Sequence, residues 1–284
     1  MNQLLDGKAV SAKVLGQVAA AVKNLPVPPA LAVILVGDDP ASQIYVGYKK
    51  KACERVGIRS LEYKLPAGAG QQKLLALVDE LNADENVHGI LCQMPLPRGF
   101  DYDEQALCLA ISPAKDVDVF HPENVGKLIL GNPRLLPCTP AGVLEMLDDA
   151  GIALKGKHVV VVGHSNIVGK PMALLALQRD ATVTICHICT EDLANHTRRA
   201  DVLIVAVGKV KLITADMVKD GAVVVDVGIN RLDDGRVRGD VDFESVAPKA
   251  SWITPVPGGV GPMTIAMLMR NTLECAQKNM QKGT

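Results

Sequence analysis

Two α/β domains, each built around a mainly parallel sheet, are predicted by three features of the sequence. Apolar, β-branched runs recur along the chain, among them 30–36 (ALAVILV), 157–162 (KHVVVV) and 222–227 (AVVVDV). A strand that is apolar at nearly every position, rather than at alternate ones, is covered on both faces. Stretches of helical periodicity separate these runs, which is the order of a parallel sheet. The length of 284 residues suits two cores of ordinary size.

In chain order, a helix over 7–23 leads to the strand at 30–36. Asp39-Pro40 opens the next helix, 40–57, with the aspartate as cap and the proline in the first turn, where its missing N–H leaves no bond unmade. A strand at 58–65, a helix at 70–84 and a strand at 87–92 (VHGILC) complete the first series. Proline and glycine then concentrate from Gly131 to Pro140 (GNPRLLPCTP) and periodicity lapses, which places the domain boundary there. Residues 1–138 form the first domain and 139–262 the second. A helix at 141–150 enters the second domain, whose strands are 157–162, 181–186 (ATVTIC), 202–207 (VLIVAV) and 222–227. The last helix, within 263–284, is expected to pack back on the first domain and make it discontinuous.

Composition narrows the partners. Hydrophobic residues make up 48% of the chain and the formal net charge is −1, with a pI near 6.6 and a mean hydropathy of +0.19. No global charge therefore favours nucleic acid or an anionic membrane. The segment MNQLLDGKAVSAK has no basic region followed by an apolar core, and no apolar run reaches the ~20 residues of a membrane span. A soluble cytoplasmic protein that acts on a small molecule is expected. Seven scattered cysteines do not form a disulfide framework in a chain of this size. Cys186 and Cys189 make one C-x-x-C beside His187, without the second ligand pair that zinc requires, and no metal is assigned.

Three motifs carry chemistry. Strand 157–162 runs into Gly163-His164-Ser165-Asn166-Ile167-Val168-Gly169-Lys170-Pro171 and then a helix, so the glycines put a tight turn at a helix N-terminus, whose free N–H groups and dipole suit a pyrophosphate. Ser165 stands where G-x-G-x-x-G has its second glycine. The strand before, the helix after and the further βα units supply the context of a Rossmann-type dinucleotide-binding domain. The reader of the ribose or its 2′-phosphate belongs at the end of the next strand, Cys186 to Thr190, where no arginine, lysine or acid stands. NAD and NADP are both open from these residues.

The second motif is one face of helix 40–57, on which Ser42, Tyr45, Lys49 and Cys53 succeed one another by helical turns. Tyr45 offers a stacking surface and Lys49 a proton donor or base. Lys50 and Lys51 alongside, or partial burial, would lower the Lys49 pKa. Gln93 ends strand 87–92, where ligands of α/β sheets bind, and is placed to hold both a substrate and the lysine. In KDVDVFHPENVG, the Asp116-Val117-Asp118 segment offers a carboxylate to paired N–H donors of a flat heterocycle. The third motif, Thr254–Thr264 (TPVPGGVGPMT), has three prolines and three glycines in one loop, stiff yet with bare backbone for a planar ligand.

Together these segments resemble the bifunctional methylenetetrahydrofolate dehydrogenase/methenyltetrahydrofolate cyclohydrolase family over nearly the whole chain. SQIYVGYKKKA, VHGILCQMPLP, KDVDVFHPENVGK, LPCTP, VVVGHSNIVGKPMA, DVGIN and ITPVPGGVGPMT occur in family order and spacing. The resemblance implies that Tyr45 stacks on the folate, that Lys49 does acid–base chemistry positioned by Gln93, and that Asp118 holds the pterin-like head. It implies that Pro255, Gly258 and Gly259 close the folate side of a cleft between the domains, near the nicotinamide. Gly163, His164, Ser165, Ile188 and Ile229 are then at the dinucleotide, NADP rather than NAD, and the assembly is a homodimer built through the dinucleotide domain. Two positions depart from the family. Val119 replaces its usual glycine after DVD and would be strained if φ is positive there, while Ile188 and Cys189 replace the hydroxyl and cation commonly used for the 2′-phosphate. A shikimate-dehydrogenase-like oxidoreductase and a non-catalytic dinucleotide-binding protein are the competing readings.

Overall fold

The structure is a computed structural model that describes residues 3–232 and 234–282, with side chains to 280. Its first half contains β1 (Gln3–Leu4), α1 (Gly7–Lys23), β2 (Ala30–Val36), α2 (Pro40–Val56), β3 (Arg59–Leu65), α3 (Gln71–Ala83), β4 (Gly89–Cys92), α4 (Glu104–Ala110) and α5 (Pro122–Ile129). There follow α6 (Cys138–Asp149), β5 (His158–Val162), α7 (Gly169–Leu177), β6 (Thr182–Cys186), α8 (Leu193–Thr197), β7 (Val202–Val205) and β8 (Val223–Asp226). The chain ends with β9 (Asn230–Arg231), β10 (Val237–Arg238), α9 (Phe243–Val246), β11 (Trp252–Ile253) and α10 (Val260–Lys282). Among the described residues no helix is long and apolar enough to cross a membrane.

Two compact units result. One joins Ala12–Cys138 with the residues from Ile265 onward, around a parallel sheet in the order β3-β2-β4. All seven residues of β2 are buried, as its uninterrupted apolar run requires of a central strand. Leu74, Val78 and Leu81 of α3 pack with Ala32, Ile34 and Ile90 in the core on one side. The Asp39 side chain accepts the Ser42 N–H at 2.7 Å, so the cap seen in the sequence fixes where α2 starts. From α10, Asn271 donates to the carbonyls of Val117 at 2.8 Å and Leu136 at 2.9 Å, which ties the last helix to this unit by buried polar contacts.

The other unit joins the residues up to Ser11 with Thr139–Thr264. Its sheet runs β1-β11-β8-β7-β5-β6, parallel throughout. From β5 the chain goes first to one side, to β6, and then to the other, to β7 and β8. The order therefore reverses between β5 and β7, and ligands of such sheets bind beyond the carboxyl ends of the strands at that reversal. β1 belongs to this sheet, although residues 1–138 were all expected in the first domain. The cause is local: Gln3 and Leu5 N–H groups donate to Ser251 and Ile253 at 2.9 and 3.0 Å, and a two-residue exposed edge strand carries no hydrophobic signature.

Candidate active site

Helix α2 presents Ser42 and Cys53 buried, and Tyr45 and Lys49 half-buried between them. Lys49 Nζ donates to Gln93 Oε1 at 2.8 Å. The other end of that amide is fixed too, since Gln93 Nε2 donates to the Met94 carbonyl at 2.7 Å. Gln93 is thus locked with its acceptor toward the lysine. Although the Lys49 stem is partly exposed, its ammonium sits in a dry setting, and burial holds its pKa below the ordinary lysine value, opposed mainly by the Asp118 charge. Lys50 plays no part in this: it turns away to pair with Glu62 at 2.8 Å, so burial rather than the lysine run is the cause.

Asp118 is the counterpart. Burial raises its pKa and the nearby Lys49 lowers it, so each of the two groups supports the other's charge against the same desolvation. Three cysteines lie close enough to Lys49 to act on it, Cys53, Cys92 and Cys138. Burial pushes the thiols of Cys53 and Cys92 up to about 12 and that of Cys138 well above its usual value. None of the three is a thiolate near neutral pH. Cys138 was not singled out in the sequence; its thiol donates to the Val117 carbonyl at 3.4 Å and accepts the Asn271 side-chain amide at 3.5 Å, and only the LPCTP segment hinted at it.

The second unit carries the other predicted residues. Gly163 follows β5 with φ 128°, and a Cβ there would lie 2.2 Å from the Ala206 carbonyl oxygen, at the reversal of strand order. A Cβ on Gly169 would lie 2.1 Å from the Gly163 carbonyl oxygen, so this second glycine lets α7 begin against the turn. Ser165 Oγ accepts the N–H groups of Val168 and Gly169 at 3.1 and 3.3 Å, taking the capping role that Val168 cannot. His164 and Ser165 are exposed, and the ring of His164 lies 5.0 Å from that of His187. After β6, Thr190 Oγ1 accepts the His187 N–H at 2.8 Å and His187 Nδ1 accepts the Cys189 N–H at 3.1 Å. This closes a tight loop with Ile188 at its tip, 95% exposed. The turn, the helix start and the absence of an acid from Cys186 to Thr190 fit a phosphorylated dinucleotide.

Pro255 is half-buried and Gly258 and Gly259 are buried in the same unit. A Cβ on Gly7 would come 1.7 Å from the Gly259 carbonyl oxygen, and one on Gly259 would come 2.6 Å from that of Pro255, so at Gly7 and Gly259 main chain packs directly on main chain, at the start of α1. Ile229 is exposed, with its tip 3.5 Å from where a Gly261 Cβ would stand. Tyr45, Lys49, Gln93 and Asp118 therefore share one unit, and Pro255, Gly258, Gly259, Gly163, His164, Ser165, Ile188 and Ile229 share the other.

A pair of buried carboxylates, unnoticed in the sequence, braces the dinucleotide side. Asp240 accepts the N–H groups of Val207 and Gly208 at 2.7 and 2.9 Å and the Asn230 amide at 2.8 Å. Asp226 accepts from Gly228, Asp240 and Val241 at 2.9, 3.0 and 2.9 Å. Burial raises the Asp226 pKa to about 6, against these hydrogen bonds and with a further push from Asp240. A carboxyl whose folded pKa lies above its unfolded value contributes stability below the unfolded value and loses it as pH rises through the folded one. Between roughly pH 4 and pH 6 the protein should thus lose about 3 kcal/mol from this group. Denaturation midpoints across that range, compared with Asp226→Asn, check it: equal pH slopes in the two proteins would refute the assignment.

The residues match a known family at both ends. The profile of the tetrahydrofolate dehydrogenase/cyclohydrolase catalytic domain matches residues 5–118, and that of the NAD(P)-binding domain of the same family matches 137–280. The chain belongs to the tetrahydrofolate dehydrogenase/cyclohydrolase family. Among relatives, the bifunctional protein FolD of Methanosarcina mazei is 54% identical over 98% of each chain. The crystal structure of the FolD methylenetetrahydrofolate dehydrogenase/cyclohydrolase from Campylobacter jejuni superposes with a TM-score of 0.94 at 53% identity, covering 98% of this chain and 99% of that one. The Trypanosoma brucei FolD structure, complexed with NADP cofactor and an inhibitor, gives 0.94 at 37% identity over 99% of both. Agreement of this extent decides for the family over the shikimate-dehydrogenase-like and non-catalytic readings.

Proposed function

We propose that this protein oxidises 5,10-methylenetetrahydrofolate to the 5,10-methenyl form with NADP, NAD being the competing cofactor, and then hydrolyses that product to 10-formyltetrahydrofolate. The observation that carries the reading is the buried Lys49 amine, hydrogen-bonded to a locked Gln93 and facing the Asp118 charge. Tyr45 supplies the stacking face and Asp118 the acceptor for the pterin-like head, and Pro255, Gly258 and Gly259 contribute to holding the folate. Gly163, His164, Ser165, Ile188 and Ile229 receive the dinucleotide. When bound, it supplies the hydride acceptor, and the first step needs little from the protein beyond holding two rings together.

The second step needs proton transfer. Attack of water on the methenyl carbon makes a C–O bond and releases a proton, which the neutral Lys49 amine takes. When the ring C–N bond breaks, the departing nitrogen takes a proton from the same ammonium while the hydroxyl gives its own up. One proton is released overall and no metal is required. The NADP preference is supported by the lack of a carboxylate from Cys186 to Thr190, which an NAD-specific site would use on the ribose, and by the NADP-complexed Trypanosoma brucei relative. The family resemblance supports a homodimer, and a cytoplasmic location is proposed with it.

The test is reduced-nicotinamide formation by the purified protein with 5,10-methylenetetrahydrofolate and either NADP or NAD, with the methenyl species followed in the same assay. Turnover with NADP at a higher kcat/KM than with NAD is expected. A reversed preference overturns the cofactor assignment, and no turnover with either overturns the dehydrogenase.

A further inference from the structure

Asp116, two residues before Asp118, is only 3% exposed, and four donors converge on its carboxylate. Oδ1 accepts the N–H groups of Val119 and Phe120 at 3.0 and 3.2 Å, and Oδ2 accepts the His121 N–H and the Asn124 side-chain amide, each at 2.9 Å. The chain wraps around this one carboxylate, and to do so Val119 takes φ 65°. Left-handed backbone is costly for any residue with a Cβ, and most so for a β-branched one. Val119 is also 1% exposed, so nothing in solvent relieves the strain. Hydrogen bonds to an ionised acceptor are among the stronger ones, and here they offset a conformation that valine disfavours.

The residues on either side of Asp118 are clamped as well. Lys115 Nζ donates to the carbonyls of Leu81, Asn82 and Asp84 at 2.9, 2.8 and 2.7 Å, closing the C-terminal end of α3. Its own carbonyl accepts the Ile90 N–H at 2.8 Å. Val117 fits against Gly89, where a Cβ would lie 2.5 Å from it. Asp118 is thus held between an anchored strand extension before it and the Asp116-bound turn after it.

We infer that Asp116 is a positioning residue: its carboxylate holds Val119–His121 in a left-handed turn and thereby sets where the Asp118 carboxylate stands relative to Lys49. The inference rests on the proposed role of Asp118 in binding the folate head. An asparagine at 116 presents N–H₂ where two donors now point, so the turn opens and Asp118 shifts.

Kinetics of Asp116→Asn, Val119→Gly and the double substitution test this. Asp116→Asn should raise the KM for methylenetetrahydrofolate by about 10- to 100-fold, the range that an ångström of misplacement produces, and leave the KM for the dinucleotide unchanged. Val119→Gly alone should leave both KM values unchanged and raise the thermal midpoint, because glycine takes φ 65° without strain. In the double variant glycine keeps the turn unaided, so the folate KM should return most of the way. A purely structural role predicts instead that the glycine leaves the Asp116→Asn defect in place, and that outcome overturns the inference. So does an unchanged folate KM in Asp116→Asn. Should Asp116→Asn alone fail to fold, recovery of folded protein by Val119→Gly supports the inference and continued failure overturns it. The unsubstituted protein is assayed alongside, so that a wrong functional reading shows as no turnover there, whereas a wrong Asp116 inference shows against normal turnover.

Discussion

Replacing Lys49 by methionine should slow hydrolysis of the methenyl compound by about two to four orders of magnitude, the contribution of a positioned proton-transfer group. Methionine keeps the stem that helix α2 presents and removes only the amine. Gln93 then loses its donor, which now lies 2.8 Å from Oε1, but remains fixed by the Met94 carbonyl. Dinucleotide affinity should not change, because Gly163, His164 and Ser165 belong to the other unit. The methenyl species should accumulate more in the variant than in the unsubstituted enzyme. A second readout is the pH profile. Burial lowers the Lys49 pKa, so hydrolysis should rise with pH as the amine becomes neutral, and this limb should vanish in the variant. Stopped-flow absorbance of the methenyl compound measures both. A variant that hydrolyses at the normal rate, or one that keeps the limb, would assign the base to another group.

The same helix shows what a sequence makes legible. Asp39-Pro40 sets the start of α2, and a fixed start sets the phase, so the alignment of Ser42, Tyr45, Lys49 and Cys53 could be read off by counting turns. Gln93 was legible for a similar reason, as the residue that ends an apolar strand. β2, β5, β7 and β8 were legible because strands covered on both faces are apolar throughout. β1 and β11 were not, since two residues have no periodicity and their pairing is backbone alone. Asp226 and Asp240 escaped notice, and Asp116 was read only as part of the Asp116-Val117-Asp118 segment, because most of their partners are backbone N–H groups, which every residue but proline possesses. Lys50 misled because a run of like charges does not say which side chain turns away; its partner Glu62 stands on β3, a neighbour only in the fold. Val119 falls between these cases. Its identity raised the question of a positive φ, and only the backbone answered it, at 65°.

Gly163→Ala should abolish measurable dinucleotide binding, and with it the dehydrogenase, more completely than any change at the exposed loop residues. Two penalties coincide at this position. The φ of 128° is one that residues with a Cβ rarely adopt, and the added carbon would stand 2.2 Å from the Ala206 carbonyl oxygen, which is backbone and has no rotamer by which to escape. The main chain must therefore move where β5 and β7 diverge, which is where the phosphates of a dinucleotide are received. A displacement of an ångström or so would turn the N–H groups at the start of α7 away from them. The cost to folding should be about 2–4 kcal/mol, as for other strained or overpacked substitutions. By contrast, Ile188→Ala removes a side chain that is 95% exposed and should leave stability within about 0.5 kcal/mol. The discriminating measurement is titration of Gly163→Ala with NADP, alongside hydrolysis of preformed methenyltetrahydrofolate. Loss of binding with hydrolysis retained is expected, because Lys49, Gln93 and Asp118 lie in the other unit and hydrolysis needs no hydride acceptor. Normal NADP affinity in Gly163→Ala would remove this turn from the dinucleotide site, and loss of both activities together would mean that the strain reaches the whole protein.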